Sequence, residues 1–461
     1  MTERRAQEAG DDPWGERLPR RLGGLSATAI LVGSTIGSGI FRSPAEIASY
    51  ASDVTTFAMA WVVGGLIALC GALSLSEVAA IFPRTGGIYV YLREAFGARV
   101  AFLFGWCELL ILRPAAYGAI AIVSAEHLWF VLGQDGAATL VGGPLSVSRA
   151  QALAAAFIVV LGVVNFRGVK LGALVQNVST VFKVVAILVL AVAGLAFAPT
   201  SSVASAAPAL SSVTTASGFG LALVSVMWAY DGWADVGFVS GEVRAPQRNL
   251  PRAFIGGTAL IVVLYLLLNV VYVKVIGIHA MPGRPLVAAD VARVLVGATG
   301  AKLVALLVAV STFGTLNGSL LTGPRVFFAM AEDGLFFRRL ATVHPRYGTP
   351  GGAILLSVGL GVVFVSVRTF GQLADQFIVG IWPFYALAVA SVFVLRMRRP
   401  DLARPYRTWG YPVVPGVFVA AAFGLLVNYA VRSPMEVAVN VAVVLTGLPV
   451  YWLWTRDRTN A

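Results

Sequence analysis

The chain has 461 residues, 58% of them hydrophobic and only 12% charged, about half the charged share of a soluble domain. Its net charge of +12 would suit nucleic acid only if the cations shared one surface, and instead they sit in the short connections between apolar runs. A soluble enzyme domain and a nucleic-acid-binding module are therefore excluded, and an integral membrane protein remains.

Residues 1–21 are polar and lack the apolar core of a signal peptide, which predicts a flexible cytoplasmic tail. Apolar runs long enough to cross about 30 Å of hydrocarbon then recur to the end of the chain. They predict an all-α integral membrane protein of twelve transmembrane helices, near 25–50, 54–82, 101–131, 150–166, 171–198, 217–241, 253–277, 300–330, 352–367, 374–396, 412–431 and 435–455. Of the 34 Lys and Arg, 24 fall on the side of the N-terminus, seven on the other side, and Arg42, Arg113 and Lys183 within helices. This asymmetry predicts that both termini are cytoplasmic and that the basic face meets anionic lipid. Cys70 and Cys107 lie inside helices, so no structural disulfide is expected. His127, His279 and His344 are far apart and form no metal-binding cluster, and no cofactor is implied.

The first span carries Gly33-Ser34-Thr35-Ile36-Gly37-Ser38-Gly39, and the sixth carries Trp228-Ala229-Tyr230-Asp231-Gly232. Helix-breaking sequence survives in a bilayer only where it lines a cavity, and a pair of such breaks in matching halves points to a transporter's substrate site. The simpler alternative is a pair of kinks or close-packing glycines. The chain accordingly divides into a first repeat at 22–198, an inverted second repeat at 217–396, two further helices at 411–455 and a cytoplasmic tail at 456–461.

A substrate that carried both a carboxylate and an ammonium would need donors for the one and acceptors for the other. Unwinding near Gly37 and Gly39 exposes N–H groups at the positive end of a half-helix, with Ser34, Thr35 and Ser38 as further donors. Carbonyls around Trp228, Ala229 and Asp231 would take the ammonium. Asp231 itself has two readings: a carboxylate for a cationic side chain, or a cap on the broken helix. Arg42 is expected to pair with Glu46 at i,i+4. Glu108 and Arg113, five residues apart, are expected to find partners on other helices. Asn317 is read as a contact between helices.

Four stretches resemble one family: Gly33 to Pro44 (GSTIGSGIFRSP), Phe104 to Ala115 (FGWCELLILRPA), Trp228 to Pro251 (WAYDGWADVGFVSGEVRAPQRNLP) and Phe313 to Thr322 (FGTLNGSLLT). These are similar to the L-type amino acid transporters of the amino acid–polyamine–organocation superfamily, a resemblance that also takes in the loop from Thr85 to Gly97. It implies the LeuT-like fold, a 5+5 inverted repeat with broken first and sixth helices. It also implies a sodium-independent L-amino acid transporter, expected to work by alternating access as an exchanger of neutral and, through Asp231, cationic amino acids, with Trp228 and Trp382 as aromatics over the substrate. Val379 and Ala234 stand where larger or polar residues often occur, which leaves substrate size open. Sodium-driven relatives of the fold hold an ion between the first, fifth and eighth helices, where Lys183, assisted by Ser311 or Thr312, would stand as a tethered cation. Proton symport through Lys183 is the alternative mechanism, and a membrane amino acid sensor is the alternative class. Mammalian relatives bond a glycoprotein through a cysteine between the third and fourth helices. Residues 132–149 hold none, so no disulfide-linked heavy chain is expected, and a noncovalent homodimer stays open.

Overall fold

The computed structural model describes residues 17–142, 146–197, 215–284, 286–368 and 370–459, and these are helical almost throughout. Most of the expected tail lies outside the described residues. In chain order the helices are α1 (Gly24–Thr35), α2 (Ser38–Tyr50), α3 (Val54–Ile81), α4 (Ile88–Phe96), α5 (Ala98–Cys107), α6 (Arg113–Val131), α7 (Arg149–Phe166) and α8 (Val169–Phe197). There follow α9 (Thr215–Tyr230), α10 (Pro246–Val275), α11 (Val287–Thr322), α12 (Pro324–Glu332), α13 (Gly351–Val367), α14 (Phe370–Arg398), α15 (Val413–Arg432), α16 (Pro434–Leu445) and α17 (Gly447–Thr459). A short hairpin of β1 (Thr139–Val141) and β2 (Val147–Ser148) precedes α7.

Ten segments among the described residues are long and apolar enough to cross a membrane. Two of the expected spans fall outside that set. The run at 352–367 is α13, apolar but only 17 residues long. The run at 217–241 stops being α-helical at Tyr230, after 16 residues, and resumes as a 3-10 helix over Asp235–Glu242. The eighth span is longer than expected, because α11 starts at Val287 and turns sharply at Gly297 (φ 77°). The stretch from Thr85 to Gly97, read as a loop, contains the largely buried α4.

Local signals explain several of these ends. Asp53 caps α3 by accepting from the Thr56 amide at 2.9 Å. Ser148 and Gln151 form a capping box on α7. The helix faces are reversed from those of a soluble protein. On α8 the buried stripe is Gln176, Ser179, Thr180 and Lys183, while Val178, Val181, Val185 and Val189 are exposed. Polar-in and apolar-out at helical spacing is the pattern of a helix whose outer solvent is hydrocarbon.

The helices α1, α8, α10 and α11 pack together, and α2 lies against α9. At one end, Leu22 pairs with Val243 as an isolated bridge, and Glu242 and Arg325 form a fully buried bidentate pair at 2.8 and 3.3 Å. Deeper in, Asn317 accepts from Asn165 and donates to the Gly172 carbonyl and to Gln176, all at 3.0 Å. This joins α7, α8 and α11, as expected of a polar contact between helices. Arg42, expected to pair with Glu46 one turn on, also reaches Glu126 on α6 at 3.1 Å, which ties α2 to the neighbouring helix.

Replacing Asn317 by Leu should lower stability by about 1–2 kcal/mol, the upper end for such contacts in membranes. Unfolding by increasing SDS in mixed micelles measures this.

Candidate functional site

The first break begins at Ile36, whose ψ of 89° leaves the helix, and α2 restarts at Ser38 after Gly37. The last carbonyls of α1 therefore lose their helical partners, and in a membrane each must be satisfied by protein. The ammonium of Lys183 donates to the Gly33 carbonyl at 2.6 Å, the Ile36 carbonyl at 2.8 Å and the Thr315 hydroxyl at 2.7 Å. Thr315 in turn donates to Ile36 at 2.8 Å, and Tyr265 donates to the Thr35 carbonyl at 2.8 Å. Three donors meet three acceptors, and Lys183 is only 1% exposed. An ammonium offers three donors and no acceptor, and each of its three N–H groups finds an oxygen here.

Of the hydroxyls expected to assist Lys183, neither is its partner. Ser311 Oγ lies 3.5 Å from the Ile36 carbonyl, at the edge of a hydrogen bond. Thr312 turns back on its own helix, to Val308 and Ala309. Thr315 sits one turn further along α11 and reaches the break because Gly37 leaves room for it. A Cβ on Gly37 would stand 2.8 Å from the Thr315 methyl.

The second break lies directly against the first. Gly232 has φ 103°, open to glycine, and a Cβ there would meet the backbone of Ser34 and Thr35 at 2.9 Å. A Cβ on Gly39 would meet the Ala229 Cα at 2.4 Å. Backbone thus touches backbone on both sides of a cavity with a free volume of about 50 Å³. Ser34, Thr35, Gly37, Ser38, Gly39, Trp228 and Asp231 line it, whereas Ala229 contributes the contact with Gly39. The first amides of α2 have no partner within their own helix and carry its positive dipole end.

The rest of the wall was only partly visible in the sequence. Residues 108–112 form a π-helical turn, so the amide of Arg113 bonds the carbonyl of Glu108. That five-residue register brings the two side chains together at 2.6 Å, against the expectation of separate partners. Arg113 also stands 3.9 Å from Asp235 and 4.7 Å above the Phe238 ring. Glu108, Arg113 and Asp235 all border the cavity. Asp231 accepts from the Tyr385 hydroxyl at 2.7 Å.

Trp228 stands edge-on to Phe377, with centroids 5.4 Å apart and planes at 83°. Trp382 does not join this wall. It stacks on Phe418 and lines a separate apolar cavity with Val224 and Leu425. Phe377, Ile381 and Tyr385 recur every four residues on the cavity face of α14, and Trp382 points to the adjacent face. The side chain of Val379 lies outside the described residues.

The amino acid permease family model matches residues 22–449. The chain belongs to that family. It is thus an amino acid transporter of the membrane, and its relatives are transporters rather than enzymes. It is 31% identical over 443 residues to the serine/threonine exchanger SteT of Bacillus subtilis (strain 168), covering 94% of this chain and 97% of that one. It is 31% identical to the human b(0,+)-type amino acid transporter 1, covering 96% and 89%, and 30% identical to the human large neutral amino acids transporter small subunit 2, covering 97% and 82%.

A Gly39→Val permease should keep its fold in detergent but lose amino acid uptake by tenfold or more. At 2.4 Å the new Cβ can be housed only by moving the two breaks apart. Uptake into vesicles, alongside size-exclusion chromatography, reads both properties.

Proposed function

We propose that the permease is a sodium-independent L-amino acid exchanger of the cell membrane, working by alternating access. In this reading twelve crossings form a LeuT-like inverted repeat with both termini cytoplasmic, and no disulfide-linked heavy chain is needed. The observation that carries it is the contact of two broken helices across one cavity. The α2 amides, with Ser34, Thr35 and Ser38, would take the substrate carboxylate. The end of α9 would take the ammonium, and Trp228 with Phe377 would close over it.

Lys183 supports sodium independence. It joins the fifth, first and eighth crossings (α8, α1 and α11), satisfying with its own charge the carbonyls that an ion would otherwise coordinate. Exchange is favoured over proton symport, because the cavity that Lys183 borders is walled by Phe41, Ala186, Ile187, Leu190, Val304, Leu307 and Val308, with Ser311 its one other polar residue. A single hydroxyl gives a proton little of a hydrogen-bonded chain to follow.

Neutral amino acids are the first substrates, with cationic ones admitted through Asp231. Its carboxylate borders the cavity while accepting from the Tyr385 hydroxyl at 2.7 Å.

Proteoliposomes without sodium test the reading. Labelled amino acid should enter vesicles loaded with unlabelled amino acid and not empty ones. Entry into empty vesicles driven by a pH gradient would replace exchange by symport. Lys183→Ala removes the donor to the buried Gly33 carbonyl, at roughly 1–3 kcal/mol, and leaves the Ile36 carbonyl to Thr315. It should cut uptake at least tenfold; near-normal uptake would remove the tethered-cation role. Asp231→Asn should reduce uptake of lysine and arginine while sparing neutral substrates. Equal loss for all of them would leave Asp231 a structural role only.

A further inference from the structure

Away from the central cavity, a cleft with a free volume of about 290 Å³ opens on the outer surface between α7 and α13. Its floor on α7 is Val159, Gly162, Val163 and Phe166, one face of the helix, running for about 10 Å. Ile354, Leu355 and Val358 of α13 form the facing wall. Val159, Val163 and Leu355 are exposed at 46%, 47% and 63%, so the cleft faces the hydrocarbon in a chain whose outer surface is apolar.

One end of the cleft is closed by Arg167 and Tyr347. Arg346 stands 5.6 Å over the Tyr347 ring, and Lys170 is exposed three residues beyond Arg167. None of these three cations takes part in an ion pair among the described residues. The sequence supplies no neutralising charge nearby: residues 149–197 and 334–368, which carry both walls and the turns beside them, contain no Asp or Glu. An apolar trough that ends in unopposed cations and a phenol matches an amphiphile with a negative head. A second copy docked symmetrically would set these same cations face to face.

We propose that this cleft is a binding site for an anionic glycerophospholipid. One acyl chain lies along Val159, Val163 and Leu355, and the phosphate meets Arg167, Lys170 and Arg346. The site is separate from the substrate cavity and does not depend on which amino acid the permease carries.

Native mass spectrometry of the purified protein, titrated with equimolar dioleoyl phosphatidylglycerol and dioleoyl phosphatidylcholine, tests it. Phosphatidylglycerol should be retained in preference to phosphatidylcholine. In an Arg167→Gln/Lys170→Gln/Arg346→Gln variant its affinity should fall about fivefold for each cation removed. Leu355→Trp, which fills the trough and keeps the cations, should also release it. Equal retention of the two lipids by the wild-type protein overturns the proposal. So does retention unchanged in either variant, or a protein dimer in place of the lipid adduct.

Discussion

The structure depends on how a broken helix is kept affordable where there is no water. Interrupting α1 before Gly37 strips carbonyls of their partners, and Lys183, Thr315 and Tyr265 repair the damage from three other helices. Once those bonds exist, α1 cannot slide relative to α8, α10 or α11 without losing several at once. The cation is therefore both a substitute for missing helical hydrogen bonds and the pin that sets the geometry of the cavity.

Glycine does the complementary work. Gly37, Gly39 and Gly232 let two chains meet at backbone distance, which places amide donors on one side of a narrow space and carboxylates on the other. The walls hold Glu108, Asp231 and Asp235 against a single guanidinium, Arg113. Such a set of buried charges is costly, and Arg113 bonds Glu108 and approaches Asp235 in a way that offsets part of the repulsion. Farther away, the Glu242–Arg325 pair and the Leu22–Val243 bridge close one end of the molecule with bonds that any opening there must break.

Much of this was legible in the sequence because membrane folding leaves strong signals. The positions of both breaks, the depth of Lys183 and the role of Asn317 follow from hydropathy and from polar residues that have no reason to be in hydrocarbon. The misreadings share a different cause, which is dependence on local register. Glu108 and Arg113 look mismatched at α-helical spacing and meet only because the chain takes a π turn. Trp382 and Tyr385 are three residues apart, and a single helical turn decides which aromatic faces the central cavity. Thr315 was overlooked in favour of Ser311 and Thr312 because the rotation of α11 about its axis is set by tertiary packing against Gly37. Asp235, a second carboxylate in the same apolar run as Asp231, could have been found as a charge with no reason to be in hydrocarbon.

A covalently attached cation has a consequence for what such a carrier can accomplish. An ion that binds and leaves brings the energy of its gradient with it on every cycle. Lys183, held at Gly33 and Ile36 and bonded into its own chain, can never be released to either side. A permease coupled only in this way could change the composition of the amino acid pool on the two sides of a membrane. It could not change the pool's size. Any accumulation would have to be driven by another protein that keeps one of the exchanged species scarce.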